Sequence, residues 1–318
     1  MGVRACLERG ACEGRRMADV CMLSDLLSRE VLDAGQALPA RLAVIGQPVA
    51  HSASPAMQQA ALDARGIGLR YVRLEVEPGR VGEALARMRD LGFIGCNVTV
   101  PHKFEALAAC ARVDPAAADL GAVNTVCFDG GGSDGFNTDG PGFVRAIREE
   151  FGVEVRDLRV LLVGAGGGAG HAIASQCARE GCEELVLVNR TAGKLAALAA
   201  KLGPRLPGAR LRTLALDDPR LGETAAGCDL IVNCTSLGLR AADPAPLPAA
   251  FVLGRHLLYD TIYQPPRTAL LRAGEQVGAR VANGASMLLH QGALAFERWF
   301  GGDAPLAAMR AGLAGSLG

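Results

Sequence analysis

The sequence predicts an α/β protein of two domains, and two observations support this prediction. Short stretches of strand type, either apolar or alternating, recur along the chain, and stretches with helical spacing separate them. This alternation is typical of mostly parallel sheets, because two parallel strands need a crossover connection. The length of 318 residues is also within the range of one or two domains.

The composition indicates a globular protein that acts on small molecules. Hydrophobic residues make up 50% of the chain and charged residues 21%, as in ordinary soluble domains. The 33 basic and 33 acidic residues cancel, so local groups must hold any anionic ligand. No apolar run reaches the roughly eighteen residues of a membrane span. We therefore expect neither nucleic acid nor a membrane as a partner.

The spacing of cysteine and histidine indicates neither disulfides nor a metal site. The ten cysteines form no C-x-x-C pair, and no secretion signal precedes them, so we interpret them as thiols in a reducing cytoplasm. The five histidines lack ligand spacing with one another or with cysteines. Residues 1–40 mix arginine with glutamate and lack an apolar core, and we predict that they form a loosely ordered extension.

The first predicted domain covers residues 41–140 and begins with an apolar strand at residues 42–46. A loop that contains Ser52 and Ser54 follows the strand, and a helix follows the loop. The two serines alternate in an extended segment held by prolines, so both hydroxyls could point at one ligand group, such as a carboxylate. Serine is also a common helix N-cap, and that alternative stays open for Ser54.

A later strand of this domain ends shortly before Lys103. Polar and apolar side chains alternate from Asn97 to Val100, which places Asn97 and Thr99 on one face. Pro101 cannot donate to a ladder and so marks the end of the strand. Lys103 then lies where the chain leaves the sheet, which is a common position for a reactive group, with a solvent-exposed lysine as the alternative.

Two further polar insertions follow this lysine. Asn124 lies in an apolar stretch, and Asp139 lies among glycines that permit close approach, although Asp139 could also cap the helix that follows. We interpret the glycine-rich residues 129–135 as a turn that leads to Asp139. Because Lys103, Asn124 and Asp139 belong to three neighbouring polar insertions, we predict that they share one polar pocket.

A glycine-rich turn marks the second predicted domain, residues 141–283. An apolar strand at residues 159–163 precedes the turn, and a helix follows it. In this context Gly164 makes the tight turn, Gly166 lets the backbone approach a pyrophosphate, and Ala169 allows close packing of the helix. The pattern predicts a Rossmann-type dinucleotide-binding domain. Its predicted contacts are Gly164, Ala165, Gly166, Gly167, Gly168 and Ala169.

The residues at the end of the second strand of that domain indicate which cofactor is bound. An NAD-binding protein normally carries an acid there for the ribose 2′-hydroxyl, whereas this chain has Asn189, Arg190 and Thr191. An arginine can hold a 2′-phosphate bidentately, so the predicted cofactor is NADP. We also assign Thr235 and Gly284, which follow later strands, to the cofactor cleft.

The last strong pattern predicts a helix at residues 286–300. Met287, Gln291 and Ala295 share one face of it, and the glutamine is the polar member of this apolar set. Gln291 is therefore a candidate ligand contact, with a satisfied core amide as the alternative.

In their order and spacing these motifs resemble the shikimate dehydrogenase family over roughly residues 42–299. The segments that carry the resemblance are Ser52 to Pro55, Asn97 to Lys103, Gly121 to Thr125, Asn137 to Asp139, Gly164 to Ala169, Asn189 to Thr191, Asn233 to Gly238, Asp260 to Tyr263 with Pro265, and Met287 to Ala293. The chain departs from many members at Gln58 and Gln59, where they carry a His-Asn pair.

The resemblance implies an oxidoreductase that reduces 3-dehydroshikimate to shikimate with NADPH, a step towards chorismate and the aromatic amino acids. It implies Lys103 and Asp139 as the catalytic pair, and Ser52 and Ser54 as contacts to the substrate carboxylate. The residues implied to hold the ring hydroxyls or line the pocket are Thr99, Asn124, Asp139, Gln291 and Tyr263. It also implies that the C-terminal helices at residues 284–318 complete the first domain.

Two alternatives remain open at this point. Quinate-preferring members of the family tend to carry a threonine at the second serine and an acid after the second nucleotide strand, whereas this chain has Ser54 and Asn189. A catalytically inactive regulator that binds NADPH should have lost its acid or its substrate contacts, and the chain retains both. We expect the protein to be a monomer or a homodimer.

Overall fold

The structure is a computed structural model that describes residues 20–317, except the side chains of Ala192, Lys194 and Ala209. The described chain forms two compact units. The first comprises residues 20–137 and 295–316, and the second comprises residues 138–294 with residue 317. Each unit is built on a sheet of its own.

The first unit contains a seven-stranded sheet. Its strands are β1 (Val20–Met22), β2 (Ala40–Gly46), β3 (Arg70–Glu75), β4 (Gly95–Val98), β5 (Arg112–Val113), β6 (Thr125–Asp129) and β7 (Gly132–Phe136). They lie in the order β1-β3-β2-β4-β6-β7-β5. The pairs β4–β6 and β6–β7 are antiparallel, and the other four pairs are parallel. The mostly parallel sheet predicted from the sequence is therefore confirmed.

Helices connect the strands of this sheet. They are α1 (Arg29–Leu32), α2 (Ser54–Ala64), α3 (Val81–Asp90), α4 (Lys103–Ala109) and α5 (Pro115–Leu120). The buried side chains of α3 pack with those of the central strands in one apolar core, which includes Ala43, Ile45, Leu74, Leu85 and Met88. Burial of this apolar surface fixes the strands whose ends carry the candidate site.

Residues 20–40 correct the prediction of a loosely ordered extension. Strand β1 extends the sheet beyond β3 and pairs with it in parallel. The core residues of this segment are Leu23, Leu26 and Leu32. The Asp33 carboxylate accepts a hydrogen bond from Arg70 at 2.8 Å. The prediction is wrong for this segment because it weighed the charges and overlooked three leucines that can be buried. The rest of the predicted extension, residues 1–19, lies outside the described residues.

Residues 129–135 correct a second prediction, because they are not a simple turn. Strands β6 and β7 form an antiparallel hairpin in which Asp129 pairs with Gly132. A Cβ atom at Gly135 would lie 2.7 Å from Val123 Cγ2 and 2.9 Å from Cys110 Sγ. Glycine is therefore required there by close packing within a strand, whereas the sequence pattern suggested a turn.

The second unit contains a six-stranded sheet. Its strands and helices are α6 (Asp139–Phe151), β8 (Arg159–Val163), α7 (Gly168–Glu180), β9 (Glu184–Asn189), α8 (Ala196–Leu202), β10 (Leu211–Ala215), α9 (Leu221–Gly227), β11 (Leu230–Asn233), β12 (Leu257–Asp260), α10 (Ala269–Gln276) and β13 (Arg280–Asn283). The strands are all parallel, in the order β10-β9-β8-β11-β12-β13. Counted within this sheet the order is 3-2-1-4-5-6, which is that of dinucleotide-binding Rossmann sheets. The predicted Rossmann-type fold is confirmed.

Apolar layers cover both faces of the second sheet. Side chains of β8 alternate between them, with Val160 and Leu162 in one core and Leu161 and Val163 in the other. Both sets are fully buried, which explains why β8 is a continuous apolar run rather than an alternating one.

Two C-terminal helices, α11 (Ala285–Phe300) and α12 (Leu306–Leu317), end the described chain. Helix α11 begins in the second unit, and its residues from 295 onwards belong to the first. There the Trp299 indole donates a hydrogen bond to the Val126 carbonyl at 3.0 Å. A Cβ atom at Gly312 would lie 2.5 Å from the Ala56 carbonyl oxygen, so α12 packs tightly on α2. No helix between residues 20 and 317 is long and apolar enough to cross a bilayer.

Candidate active site

The strand order of the first sheet positions the candidate substrate site. The order reverses at β2, which has β3 on one side and β4 on the other. In open α/β sheets ligands bind outside the carboxyl ends of the strands at such a reversal. The loops after β2 and β4 meet there, since Thr99 N–H donates to Ile45 O at 2.9 Å and Gln47 N–H donates to Val100 O at 3.1 Å.

The loop after β2 carries the two predicted serines. Ser54 is buried and is the first residue of α2, whose N-cap is Ala53, so the alternative of a Ser54 cap is not observed. Ser52 is half-buried, and its Oγ accepts a hydrogen bond from the Ser54 N–H at 3.3 Å. The Arg73 guanidinium donates to the Ser52 carbonyl from Nη2 at 2.8 Å and from Nε at 3.2 Å. Arg73 thus fixes the serine loop from the neighbouring strand β3.

The loop after β4 places Lys103 at the start of α4. Lys103 is half-buried rather than fully exposed, and its carbonyl accepts a hydrogen bond from the Val123 N–H at 3.0 Å. The neighbouring His102 is buried and its Nε2 lies 2.7 Å from the Val76 carbonyl oxygen. These contacts hold the first turn of α4, and therefore the lysine, against the sheet.

Asn124 reaches the same edge because β6 runs antiparallel to β4. The residue before β6 therefore lies beside the carboxyl end of β4, where the Val98 N–H donates to the Asn124 carbonyl at 2.8 Å. The structure thus brings together one group of predicted residues in the first unit. This group is Ser52, Ser54, Thr99, Lys103 and Asn124.

Three buried residues lie behind this group. Asn97 and Thr125 belong to segments that carry the family resemblance but were assigned no role, and Tyr71 was not predicted as part of the site. The Tyr71 hydroxyl donates to Asn97 Oδ1 at 2.8 Å, and Asn97 Nδ2 donates to Thr125 Oγ1 at 3.2 Å. Thr125 Oγ1 in turn donates to Asn124 Oδ1 at 2.9 Å. Asn97 could have been found from the sequence as an amide inside a strand, whereas nothing in the pattern pairs it with Tyr71 or Thr125.

Asp139 and Gln291 come from neighbouring helices of the second unit. Asp139 is buried and is the first residue of α6, after the N-cap Thr138, so it begins the helix without being its cap. A Cβ atom at Gly142 would lie 2.8 Å from the Gln291 backbone nitrogen, so the first turn of α6 packs against α11 at Gln291. The Gln291 amide is buried and donates to the Leu288 carbonyl at 2.9 Å.

The glycine-rich turn after β8 makes close contacts with its neighbours. Gly164 has φ +87°, and a Cβ atom there would lie 2.7 Å from Thr235 Cγ2, which places Thr235 beside the turn. A Cβ atom at Gly170 would lie 2.5 Å from Gly164 O, so glycine at that position lets α7 approach the turn closely. The packing role of the neighbouring Ala169 stays a prediction.

The end of β9 lies beside the same turn. A Cβ atom at Gly166 would lie 3.1 Å from Asn189 Nδ2, and that amide donates to the Thr191 carbonyl at 3.0 Å. Arg190 and Thr191 are exposed. The arginine thus extends from the strand end nearest the glycine turn, where a 2′-phosphate would bind in a dinucleotide site.

The ends of β12 and β13 hold the remaining predicted residues. The Gly284 N–H donates to Ile262 O at 3.1 Å, and a side chain at Gly284 would collide with the Thr261 carbonyl. Tyr263 is half-buried, and burial raises the pKa of its phenol. Asp260, at the end of β12, is fully buried, and this burial raises its pKa although Thr268 and Asn233 donate to the carboxyl group. Gly284 therefore has a packing role, and its cofactor role stays a prediction.

No cluster suited to a metal ion occurs within the described part of the chain. Groups of three or more His, Cys, Asp or Glu in ligand geometry are absent from residues 20–317. The eight cysteines described there are all free thiols.

These features of the two units define a class of protein. A parallel sheet in the order 3-2-1-4-5-6 with a glycine turn after its first strand is a dinucleotide-binding unit. A separate α/β unit with a half-buried lysine and two serines at its switch point supplies a second, polar site. Together they define a two-domain dehydrogenase of the NAD(P)-dependent class.

Comparison with known families gives the particular group. Family models match residues 44–126 as "Shikimate dehydrogenase substrate binding domain", 146–238 as "Shikimate / quinate 5-dehydrogenase" and 284–312 as "Shikimate 5'-dehydrogenase C-terminal domain". A protein from Methanopyrus kandleri named shikimate dehydrogenase (NADP(+)) is 41% identical over 84% of this chain and 92% of its own length. The chain belongs to the shikimate dehydrogenase family, as the sequence motifs suggested.

Solved structures agree with this assignment. Shikimate 5-dehydrogenase from Thermus thermophilus, in complex with NADP(H) and shikimate, is 36% identical with a TM-score of 0.78, over 87% of this chain and all of that one (100%). Quinate dehydrogenase from Corynebacterium glutamicum, in complex with NAD, is 29% identical with a TM-score of 0.78, over 86% of this chain and 98% of that one.

Proposed function

We propose that this chain catalyses the reversible, NADP-dependent reduction of 3-dehydroshikimate to shikimate. The observation that carries the proposal is the grouping of Ser52, Ser54, Thr99, Lys103 and Asn124 at one edge of the first sheet. A reaction on a hydroxylated ring acid requires donors for a carboxylate and hydroxyls together with a proton donor, and this group contains all of them. Several relatives that are named shikimate dehydrogenase (NADP(+)) support the same reaction.

Each residue has a distinct role in the proposed reduction of the ketone. NADPH supplies the hydride for the ketone carbon. Negative charge then develops on the carbonyl oxygen, and Lys103 donates a proton to it or stabilises it as a fixed cation. Asp139 accepts a hydrogen bond from a ring hydroxyl. Ser52 and Ser54 donate to the substrate carboxylate, while Thr99, Asn124 and Gln291 bind the hydroxyls and Tyr263 lines the pocket.

The glycine turn after β8 fits a dinucleotide in the second unit. At Gly166 a Cβ atom would lie 3.1 Å from Asn189 Nδ2, so glycine there lets the turn lie close to the end of β9, and the motif assigns this glycine to the approach of a pyrophosphate. The predicted cofactor contacts are residues 164–169, Asn189, Arg190, Thr191, Thr235 and Gly284. Arg190 is exposed at the end of β9 and can pair with a 2′-phosphate, which supports NADP over NAD.

Quinate is the second candidate substrate, because a solved structure of similar fold is named quinate dehydrogenase. Quinate differs in having a tetrahedral hydroxylated ring carbon in place of a ring double bond. Ser54 and Asn189 both favour shikimate with NADP, as argued from the sequence. We place the enzyme in the cytoplasm, as a monomer or homodimer.

The role of Lys103 can be tested with the Lys103→Ala variant. Loss of the proton donor should lower kcat for shikimate oxidation by about 10² to 10⁴, while NADPH binding, followed by nicotinamide fluorescence, stays unchanged. Lys201→Ala is the matched control, since Lys201 is an exposed lysine of α8. Near-normal turnover by Lys103→Ala with intact NADPH binding would show that the catalytic assignment is wrong.

A further inference from the structure

Four buried side chains of the first unit form one continuous chain of hydrogen bonds that ends at Asn124. The members are Tyr71 in β3, Asn97 in β4, Thr125 in β6, and Asn124, which immediately precedes β6. None of the four is more than 5% exposed. This series of hydrogen bonds therefore runs across the sheet from β3 through β4 to β6.

The donors and acceptors in this chain all point in one direction. A phenol donates to Asn97 Oδ1 at 2.8 Å, so the Asn97 amide must turn its Nδ2 the other way. That Nδ2 donates to Thr125 Oγ1 at 3.2 Å, which leaves the threonine proton to donate to Asn124 Oδ1 at 2.9 Å. Each bond thus sets the direction of the next one.

We propose that Tyr71, Asn97 and Thr125 are positioning residues that hold the Asn124 amide with Oδ1 towards Thr125 and Nδ2 towards the substrate. This inference rests on the proposed function, in which Asn124 contacts a ring hydroxyl. The site then presents an N–H donor at that position, so it selects a ligand group that accepts a hydrogen bond there. A ring hydroxyl meets this requirement through its oxygen lone pairs.

Two features keep the direction of the chain fixed. Burial raises the pKa of Tyr71 well above its ordinary value, so the phenol keeps the proton with which the chain begins. The Asn124 backbone is also fixed on both sides, because its N–H donates to Phe136 O at 2.9 Å and its carbonyl accepts from the Val98 N–H at 2.8 Å. The bond from Thr125 Oγ1 to Asn124 Oδ1 then sets which way the amide is turned.

The test compares three variants by steady-state kinetics with shikimate and NADP. Thr125→Val keeps the shape of the side chain but removes the proton donor, and it should raise KM for shikimate about tenfold, with kcat and KM for NADP little changed. Thr125→Ser retains the hydroxyl and should behave like the parent. Tyr71→Phe breaks the chain at its far end and should raise KM in the same direction by a smaller factor.

Two controls separate positioning from general destabilisation. Ser133→Ala removes another buried hydroxyl of the same sheet, whose Oγ accepts from the Ala111 N–H at 3.1 Å, and it should leave KM unchanged. Shikimate analogues that each lack one hydroxyl give a thermodynamic cycle. For the hydroxyl bound by Asn124, removing the hydroxyl and introducing Thr125→Val should each raise KM, but the two free-energy changes should not be additive when both are combined.

Each unfavourable result has its own meaning. If Asn124→Ala raises KM but Thr125→Val does not, or if Thr125→Ser is as impaired as Thr125→Val, the positioning role is overturned and Asn124 keeps its assignment. If Asn124→Ala leaves KM for every substrate unchanged, the assignment of Asn124 in the proposed function fails, and the positioning role fails with it. If Thr125→Val does not fold, Tyr71→Phe decides the question by the same KM measurement.

Discussion

At the scale of single residues, the candidate site depends on side chains that support the predicted ligand contacts. Arg73 donates twice to the Ser52 carbonyl, and Tyr71 begins the hydrogen-bond chain that reaches Asn124. The motif residues could be predicted from the sequence because their type and spacing carry the chemistry. The supporting residues could not, since their partners come from other strands that only the fold brings near.

The contact between Arg73 and the serine loop predicts that Arg73 contributes to shikimate binding. The Arg73→Met variant loses both bonds to the serine loop, so KM for shikimate should rise several-fold while kcat and KM for NADP change little. Arg73→Lys retains one donor and should be intermediate. Arg70→Met is the matched control, because Arg70 lies on the same strand but donates to Leu38 O and Asp33. Equal KM values for the Arg73 and Arg70 variants would contradict a specific role of Arg73 in the loop.

At the scale of elements, the long periodic segments were predictable and the short irregular ones were not. The apolar run of β8 and the glycine turn after it define the second sheet from the sequence alone. The strand β7 is rich in glycine, and its identity depends on pairing with β6 and on the space beside Val123. Likewise, β1 is a strand only because β3 offers an edge to pair with.

An ion pair at the amino ends of the strands in the second sheet predicts how the stability of the protein depends on pH. Asp229 accepts hydrogen bonds from the Arg159 side chain at 2.7 and 2.9 Å and from its N–H at 2.9 Å. These bonds to Arg159, chiefly those of the guanidinium, lower the pKa of Asp229 below its usual value. The stabilisation is therefore present above the ordinary carboxyl pKa and is lost as the pH falls through the lowered one.

We expect Asp229→Asn to lower the free energy of unfolding at pH 7 by about 1–2 kcal/mol, a value reduced for partial exposure. Urea unfolding of the parent and of Asp229→Asn should show a smaller difference in the free energy of unfolding near pH 3 than at pH 7. Activity at pH 7 should be unchanged, because Asp229 lies at the opposite end of the strands from the cofactor motifs. Asp90→Asn, in an exposed pair with Arg89, is the control. A difference that persists unchanged in acid would contradict the assignment to this carboxylate.

At the scale of the whole molecule, the sequence separates two tasks into two units. In the proposed function, the first unit supplies the donors for a hydroxylated ring acid at the switch point of a mostly parallel sheet, and the second supplies the glycine turn and Arg190 for a dinucleotide. The charges of the whole chain balance, so we expect recognition of two anionic ligands to rest on these local groups rather than on a long-range field. Composition therefore predicted only which classes of partner to expect, while the motifs indicated the chemistry.

The most direct test of the proposed function is the initial rate of oxidation of shikimate and of quinate, each with NADP and with NAD. The roles assigned to Ser54 and Arg190 predict fast oxidation only for shikimate with NADP. Fast turnover of quinate with NAD would contradict both assignments. Tight NADPH binding without turnover of either substrate would contradict catalysis itself and would favour a regulator that has kept the fold.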